Sequence, residues 1–288
     1  MAKFIILQAN VVFNQQCSIF DKYMDTKEGR NVAFRDIIDK IKNKKIVKVN
    51  PRITEYYFIY MTEIGNDIIY CQLAKKMQMQ RYMMDVGGVK QGVIDSYPPL
   101  DVFVNLKLQQ FAVEINTGIL SNSSIVNVIS NLINSIVKDF NIFFNIIQDK
   151  KEFWKLISHD EAIQEICFDL VVPNFFGATG DAKRLVEGAK DEVNADRVEL
   201  RLKNKKGKLK ISLNSLDSYV KYASISGSWK IKYKEYGEKN YKVVTSADCS
   251  LNKEVRDDVL NAIKECASGD QEQYNMLIEK IKGIFKND

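Results

Sequence analysis

From Val198 to Val244, charged and apolar residues alternate at the period of a β-strand. The pattern reads Val198-Glu199-Leu200-Arg201-Leu202-Lys203, then Leu209-Lys210-Ile211-Ser212-Leu213. It resumes as Trp229-Lys230-Ile231-Lys232-Tyr233-Lys234 and ends in Tyr241-Lys242-Val243. Successive side chains of a strand point to opposite faces. Val198, Leu200, Leu202, Leu209, Ile211, Leu213, Trp229, Ile231 and Tyr233 therefore face a core. Arg201, Lys203, Lys210, Lys230, Lys232, Lys234 and Lys242 face the other way. This is the pattern of an antiparallel sheet with one dry and one wet face.

The wet face is basic. Residues 197–242 hold 13 Lys and Arg against 4 Asp and Glu, whereas the whole chain holds 42 against 37. The remainder is thus slightly acidic, and the positive charge is local, as a polyanion-binding surface requires. Lysines on exposed strands also keep sheets soluble and block edge pairing. A face that is merely solvated is the competing reading.

A chain of 288 residues, 45% of them hydrophobic, can bury one large core or two modest ones. Only four prolines and fourteen glycines favour regular secondary structure. The expected division is an N-terminal α+β domain over 1–160, a second α+β domain with the basic sheet face over 161–250, and a helical tail over 251–288. The first domain opens with a strand, Lys3–Phe13, and a helix, Asn31–Lys42. A hairpin across Gly65-Asn66 joins strands Arg52–Glu63 and Asp67–Leu73. Gly87-Gly88 and Tyr97-Pro98-Pro99 mark turns. Asp101–Lys107 and Gln109–Asn116 read as a strand pair.

Ser121–Ser124 then offer caps to an apolar helix carrying Ile125, Val128, Ile129, Leu132, Ile133, Ile136 and Val137. A strand, Asn141–Gln148, and a helix around Glu152–Ile157 follow. The second domain adds a strand over Ile163–Val172, a loop to Gly180, a helix from Asp181 to Ala189, and a helix Ser215–Tyr222 among the basic strands. The tail is helical from Lys253 to Lys286, broken near Gly269. The fold class is α+β, with helices on the apolar sheet face and the basic face left open.

The short apolar start, interrupted by Gln8 and Asn10, reads as a buried strand and not as a secretory signal. No apolar run approaches the ~20 residues of a membrane span. A cytoplasmic protein without membrane insertion is expected. The five scattered cysteines form neither a disulfide framework nor a zinc site.

Catalytic candidates are few. His159 is the single histidine, which excludes a multi-histidine metal site. Gly177-Ala178-Thr179-Gly180-Asp181-Ala182-Lys183 lacks phosphate-loop spacing and reads as a helix N-cap. Glu199 and Arg201, with Asp196 nearby, echo the carboxylate–lysine pattern of metal-dependent nucleases, with arginine in place of lysine. No catalytic residue, metal or cofactor is assigned. Tyr236 and Tyr241 flank the Gly237-Glu238 turn and are the aromatics available for base stacking.

Two stretches carry a resemblance. The first is Phe168-Asp169-Leu170-Val171-Val172-Pro173-Asn174-Phe175-Phe176-Gly177, followed by a helix and by Val198-Glu199-Leu200-Arg201-Leu202-Lys203-Asn204-Lys205-Lys206-Gly207. The second is Phe111-Ala112-Val113-Glu114-Ile115 ahead of the Ser121–Val137 helix. Together they resemble the RexA-like proteins of phage-exclusion systems. The likeness is one of pattern across most of the chain, without a catalytic motif. It implies a DNA-binding component of bacterial antiphage defence, dimeric, acting with a protein partner from the same system.

The expectation from the sequence is therefore a non-catalytic DNA-binding protein, with DNA favoured over RNA. Arg201, Lys203, Lys205, Lys206, Lys208, Lys210, Lys230, Lys232, Lys234 and Lys242 would contact phosphates without reading sequence. A metal-dependent nuclease and a protein-interaction module with a solvated basic face are the alternatives.

Overall fold

A computed structural model describes residues 1–13, 27–42, 55–65, 67–137, 140–158, 162–171, 180–195, 197–207, 209–235, 237–265 and 271–285. His159, the Gly177–Thr179 loop, Asp196, Lys208, Tyr236 and the helix break near Gly269 lie outside these residues.

In chain order the elements are β1 (Ala2–Phe13), α1 (Lys27–Lys42), β2 (Tyr56–Ile64), β3 (Ile68–Lys75), β4 (Met77–Asp85), β5 (Gly88–Ser96), β6 (Pro99–Asn105) and β7 (Gln110–Glu114). Then follow α2 (Asn122–Asn134), β8 (Phe140–Ile146), α3 (Lys150–Ser158), β9 (Ala162–Val171), α4 (Asp181–Val193) and β10 (Arg197–Lys203). The chain continues with α5 (Leu213–Ser226), β11 (Gly227–Lys234), β12 (Lys242–Thr245), a 3-10 turn (Ser246–Cys249), β13 (Asn252–Val255), α6 (Asp257–Glu265) and α7 (Gln271–Ile284). The fold is α+β, and the β3–β6, β9–β10 and β9–β11 ladders are antiparallel. Helix in the tail begins at Asp257 and not at Lys253, because Asn252–Val255 is extended as β13.

The chain divides into two compact units. One comprises residues 1–4, 13–142 and 254–288, and the other residues 5–12 and 143–253. Along the sequence they interleave, unlike the sequential division expected at residue 160. The physical reason is hydrogen bonding distant in sequence. Ile147 N–H donates to the Ile6 carbonyl at 2.7 Å, which ties part of β1 to the second unit.

In the first unit β7, β6, β3 and β2 lie side by side. Phe34, Ile37, Ile38 and Ile41 are the buried stripe of α1, and Phe34 meets Phe111 edge-on at 6.2 Å. Ser121 caps α2 as expected, its side chain accepting from the Ser124 N–H.

Between Leu73 and Pro99, where the sequence marks turns or a loop at Gly87-Gly88 and Tyr97-Pro98-Pro99 without strands between them, the chain folds as a second hairpin. Ile68 faces Asn105 and Ala74 faces Pro99 in the β3–β6 ladder. Met77 faces Ser96 and Asp85 faces Gly88 in the β4–β5 ladder. Both ladders share one register, and Lys75 N–H donates to the Pro98 carbonyl between them. One continuous hairpin therefore begins in the sheet and runs beyond it as a two-stranded ribbon.

In the second unit a four-stranded sheet has the order β10-β9-β11-β12. Its dry face carries Ile166, Phe168, Leu170, Trp229 and Ile231, packed with Phe153 of α3, Ala182 and Val186 of α4 and Val220 and Ala223 of α5. Phe153 is the hub, 5.1 Å from Trp229 and 5.7 Å from Phe168. Leu209–Leu213 does not form the expected strand. Residues 209–212 are irregular, and Leu213 opens α5. The Ser212 and Ser215 hydroxyls bond to each other at 3.0 Å, and Ser215 Oγ donates to the Ser212 carbonyl. Such local bonds favour a helix start over strand pairing.

Candidate nucleic-acid interface

The wet face of the four-stranded sheet is set by register, because residues directly opposite each other share a face. Arg201 faces Cys167, which faces Lys230, which faces Thr245. In the next rung Lys203, Glu165, Lys232 and Val243 follow in the same order. On the other side Glu199, Asp169 and Ser228 share a rung, and Arg197 faces Val171. Basic side chains thus stand in two columns, on β10 and β11. Arg197, Arg201, Lys203 and Lys230 are exposed and Lys232 is half-buried.

β9 departs from regularity at Gln164. Lys232 faces Glu165 but Tyr233 faces Ile163, so Gln164 is the extra residue of a β-bulge. The bulge returns Ile163 to the core and places Lys234 opposite Ala162, on the side of Lys232. Just beyond β10, Asn204 N–H donates to the Gln164 carbonyl and Leu209 N–H to the Ile163 carbonyl, which hangs a turn on this end of β9. Inside the turn Asn204 Oδ1 accepts from Lys206 N–H at 2.9 Å. Gly207, at φ +68°, is buried, and a methyl group there would sit 3.1 Å from Tyr241 Oη. Lys205 and Lys206 are exposed at the tip.

Tyr241 also lies beneath Lys232, whose Nζ is 5.2 Å from the ring centroid. That contact holds an ammonium group over the aromatic face. Lys210 is exposed on the segment leaving the turn.

Lys242 is the exception among the expected residues. It faces Tyr233 across β11–β12, so it belongs to the core-side register, and Val243 takes the place on the wet face. Lys242 is exposed only because β12 is an edge strand, and its ammonium bonds Glu235 at 2.6 Å. That bond, with the charge of Glu235, raises its pKa above the ordinary lysine value. The period-two argument failed there because the connection from Lys234 to Tyr241 resets the parity.

Three carboxylates complete this face: Glu199, which alternates with the apolar residues of β10, and Glu165 and Asp169, which the pattern of the basic strands did not include. Asp169 pairs with Arg197 at 3.1 Å, and Glu165 pairs with Lys203 at 3.4 Å and Arg201 at 3.7 Å. Glu199 pairs with Arg201 at 2.8 Å. The charge of Glu199, a bond to Cys167 and the charge of Glu165 raise the Arg201 pKa further. Burial, chiefly, raises that of the Cys167 thiol beside it. Glu165 and Asp169 sit some thirty residues upstream of β10, outside the window in which basic residues dominate. Their alternation within Glu165-Ile166-Cys167-Phe168-Asp169 is the signal that could have found them. The face is an ion-paired lattice with five basic against three acidic side chains. The carboxylates, including the nuclease candidate Glu199, are engaged with Arg and Lys. Among the described residues no group of three or more His, Cys, Asp and Glu side chains is placed to hold a metal ion.

A family model matches residues 102–261. The chain belongs to that family, described as a domain of unknown function (DUF4747). The matched residues of this DUF4747 chain run from within β6 to within α6 and include all four strands of the wet-faced sheet. No curated protein matches the chain. Among the described residues no helix is long and apolar enough to cross a membrane.

Proposed function

We propose that this protein binds DNA through the wet face of β10-β9-β11 and the Asn204–Gly207 turn, by phosphate contacts that do not read sequence. The observation that carries the reading is the pair of basic columns, Arg197, Arg201 and Lys203 on β10 and Lys230 and Lys232 on β11. The face has an excess of two positive charges, and Lys205, Lys206, Lys210 and Lys234 border it. Phosphates would compete with Glu165, Asp169 and Glu199 for the same guanidinium and ammonium groups, so binding would be salt-dependent. Following the RexA-like resemblance, the biological setting we infer is bacterial antiphage defence, with a protein partner from the same system.

The test is fluorescence anisotropy of labelled duplex and single-stranded DNA across a salt series. Wild type is compared with Lys230→Glu/Lys232→Glu and Lys205→Glu/Lys206→Glu, each checked for folding by circular dichroism. The expected result is binding that falls steeply with salt and is lost in both folded variants. Absence of binding by folded wild type at low salt would overturn the proposal and leave the face as solvated surface.

A further inference from the structure

The β4–β5 ribbon carries an exposed apolar surface that the sheet does not use. Met79, Tyr82, Met84, Val86, Val89 and Val93 are all at least half exposed, with Met84 at 89%. They are distributed over both faces. Met79 faces Ile94 on one side, while Met84 faces Val89 and Gln80 faces Val93 on the other. Among the described residues each strand of the ribbon pairs only with the other. An isolated two-stranded ribbon is marginally stable in water, and here it is extended about 30 Å by nine-residue strands.

The ribbon is nonetheless regular to its tip. Its register is constant from Met77 to Gly88, and Met83 packs across Gly92, where a methyl group would lie 2.4 Å from its Cε.

Two quantities decide what covers it. Packing the face that carries Tyr82, Met84, Val89 and Val93, with Val86 at the turn, would remove on the order of 600 Å² per copy, so two copies together would bury about 1,200 Å², the lower end of a specific interface. The second is charge. Residues 77–96 hold Arg81 and Lys90 against Asp85 and Asp95, which makes the ribbon neutral in a chain of net +5. A neutral arm is poorly suited to a polyanion. It can meet its own copy without like-charge repulsion, as a two-fold interface built from one patch requires.

We propose that the β4–β5 ribbon is a dimerisation arm that packs against the same ribbon of a second copy. This interface is independent of the DNA-binding reading.

Sedimentation equilibrium of the full chain at micromolar concentration tests it, beside two variants. One is Tyr82→Glu/Met84→Glu. The other replaces residues 77–96 by Gly-Gly, which closes the hairpin at Lys76 and Tyr97 in the register that β3 and β6 already share. The expected result is wild type at twice the 33.1 kDa chain mass and each variant at its own single-chain mass, the point variant with unchanged circular dichroism and the shortened variant with a cooperative melt. Wild type at the chain mass, an open-ended assembly, or a folded shortened variant that remains dimeric would each overturn the proposal.

Discussion

Lys203 and Lys232 stand on opposite sides of Glu165 in one rung of the wet-faced sheet, and the carboxylate between them is only 18% exposed. It holds Lys203 at 3.4 Å and Arg201 at 3.7 Å. Glu165 is therefore a built-in competitor for any phosphate that would bind this rung.

Replacing Glu165 with Gln should tighten duplex binding several-fold, because the Lys203 and Arg201 contacts to Glu165 no longer oppose phosphate. Lys203→Gln should weaken binding to all sequences alike and lower the salt slope by about 1. Anisotropy titrations at four or more salt concentrations measure both. Weaker binding by the Glu165 variant would contradict the competitor role.

Gly227 joins α5 to β11 without a loop, and a methyl group there would lie 2.3 Å from the Asp169 carbonyl oxygen and 3.3 Å from Ala223 Cα. Both obstacles are backbone and cannot swing away. Gly227→Ala should cost about 1–3 kcal/mol, the range of core overpacking. It should appear in urea as a lower midpoint with the slope unchanged.

Trp229 is 2% exposed and edge-on to Phe153, and its indole N–H has no hydrogen-bond partner among the described residues. Trp229→Ala should cost about 3–5 kcal/mol through the cavity it leaves. Trp229→Phe keeps the ring contact and removes an unsatisfied donor, so its cost should fall well below that of the alanine variant. Equal losses in denaturant melts would show that the ring contact contributes little.

Tyr57 donates a hydrogen bond to Glu55 and lies edge-on to Tyr97 at 5.7 Å. That bond, then burial and the Glu55 charge, push its pKa up to about 12 from 10.0. The folded state thus holds the phenolic proton more tightly than the unfolded chain. The resulting stabilisation is complete below pH 10 and lost as pH rises toward 12. Denaturation midpoints followed through that window should fall more for wild type than for Tyr57→Phe. Tyrosinate absorbance should show one fewer late-titrating phenol in Tyr57→Phe than in wild type, and a parallel decline in stability of the two proteins would remove this assignment.

Much of the fold was legible locally. The α2 helix follows from the helical spacing of Ile125, Ile129, Leu132 and Ile133, all buried, together with the Ser121 cap. The dry side of β10 and β11 follows from period two, since Trp229, Ile231 and Tyr233 are buried and Val198, Leu200 and Leu202 pack on the same core. The β4–β5 ribbon was missed because its Met-Gln alternation has few β-branched residues, and the Val86-Gly87-Gly88-Val89 turn was read without the strands on either side.

The sequence by itself determined which side chains share a strand face, because alternation is a property of one extended chain. It determined in that way that Arg201 and Lys203 point away from Leu200 and Leu202, and Lys230 and Lys232 away from Trp229 and Ile231. Only the tertiary structure decided that β9 lies between β10 and β11, bringing Glu165 and Asp169 among the cations. It alone put Lys242 in register with Tyr233. Strand neighbours and register are fixed by hydrogen bonds and side-chain packing between segments distant in the chain, which no local period encodes.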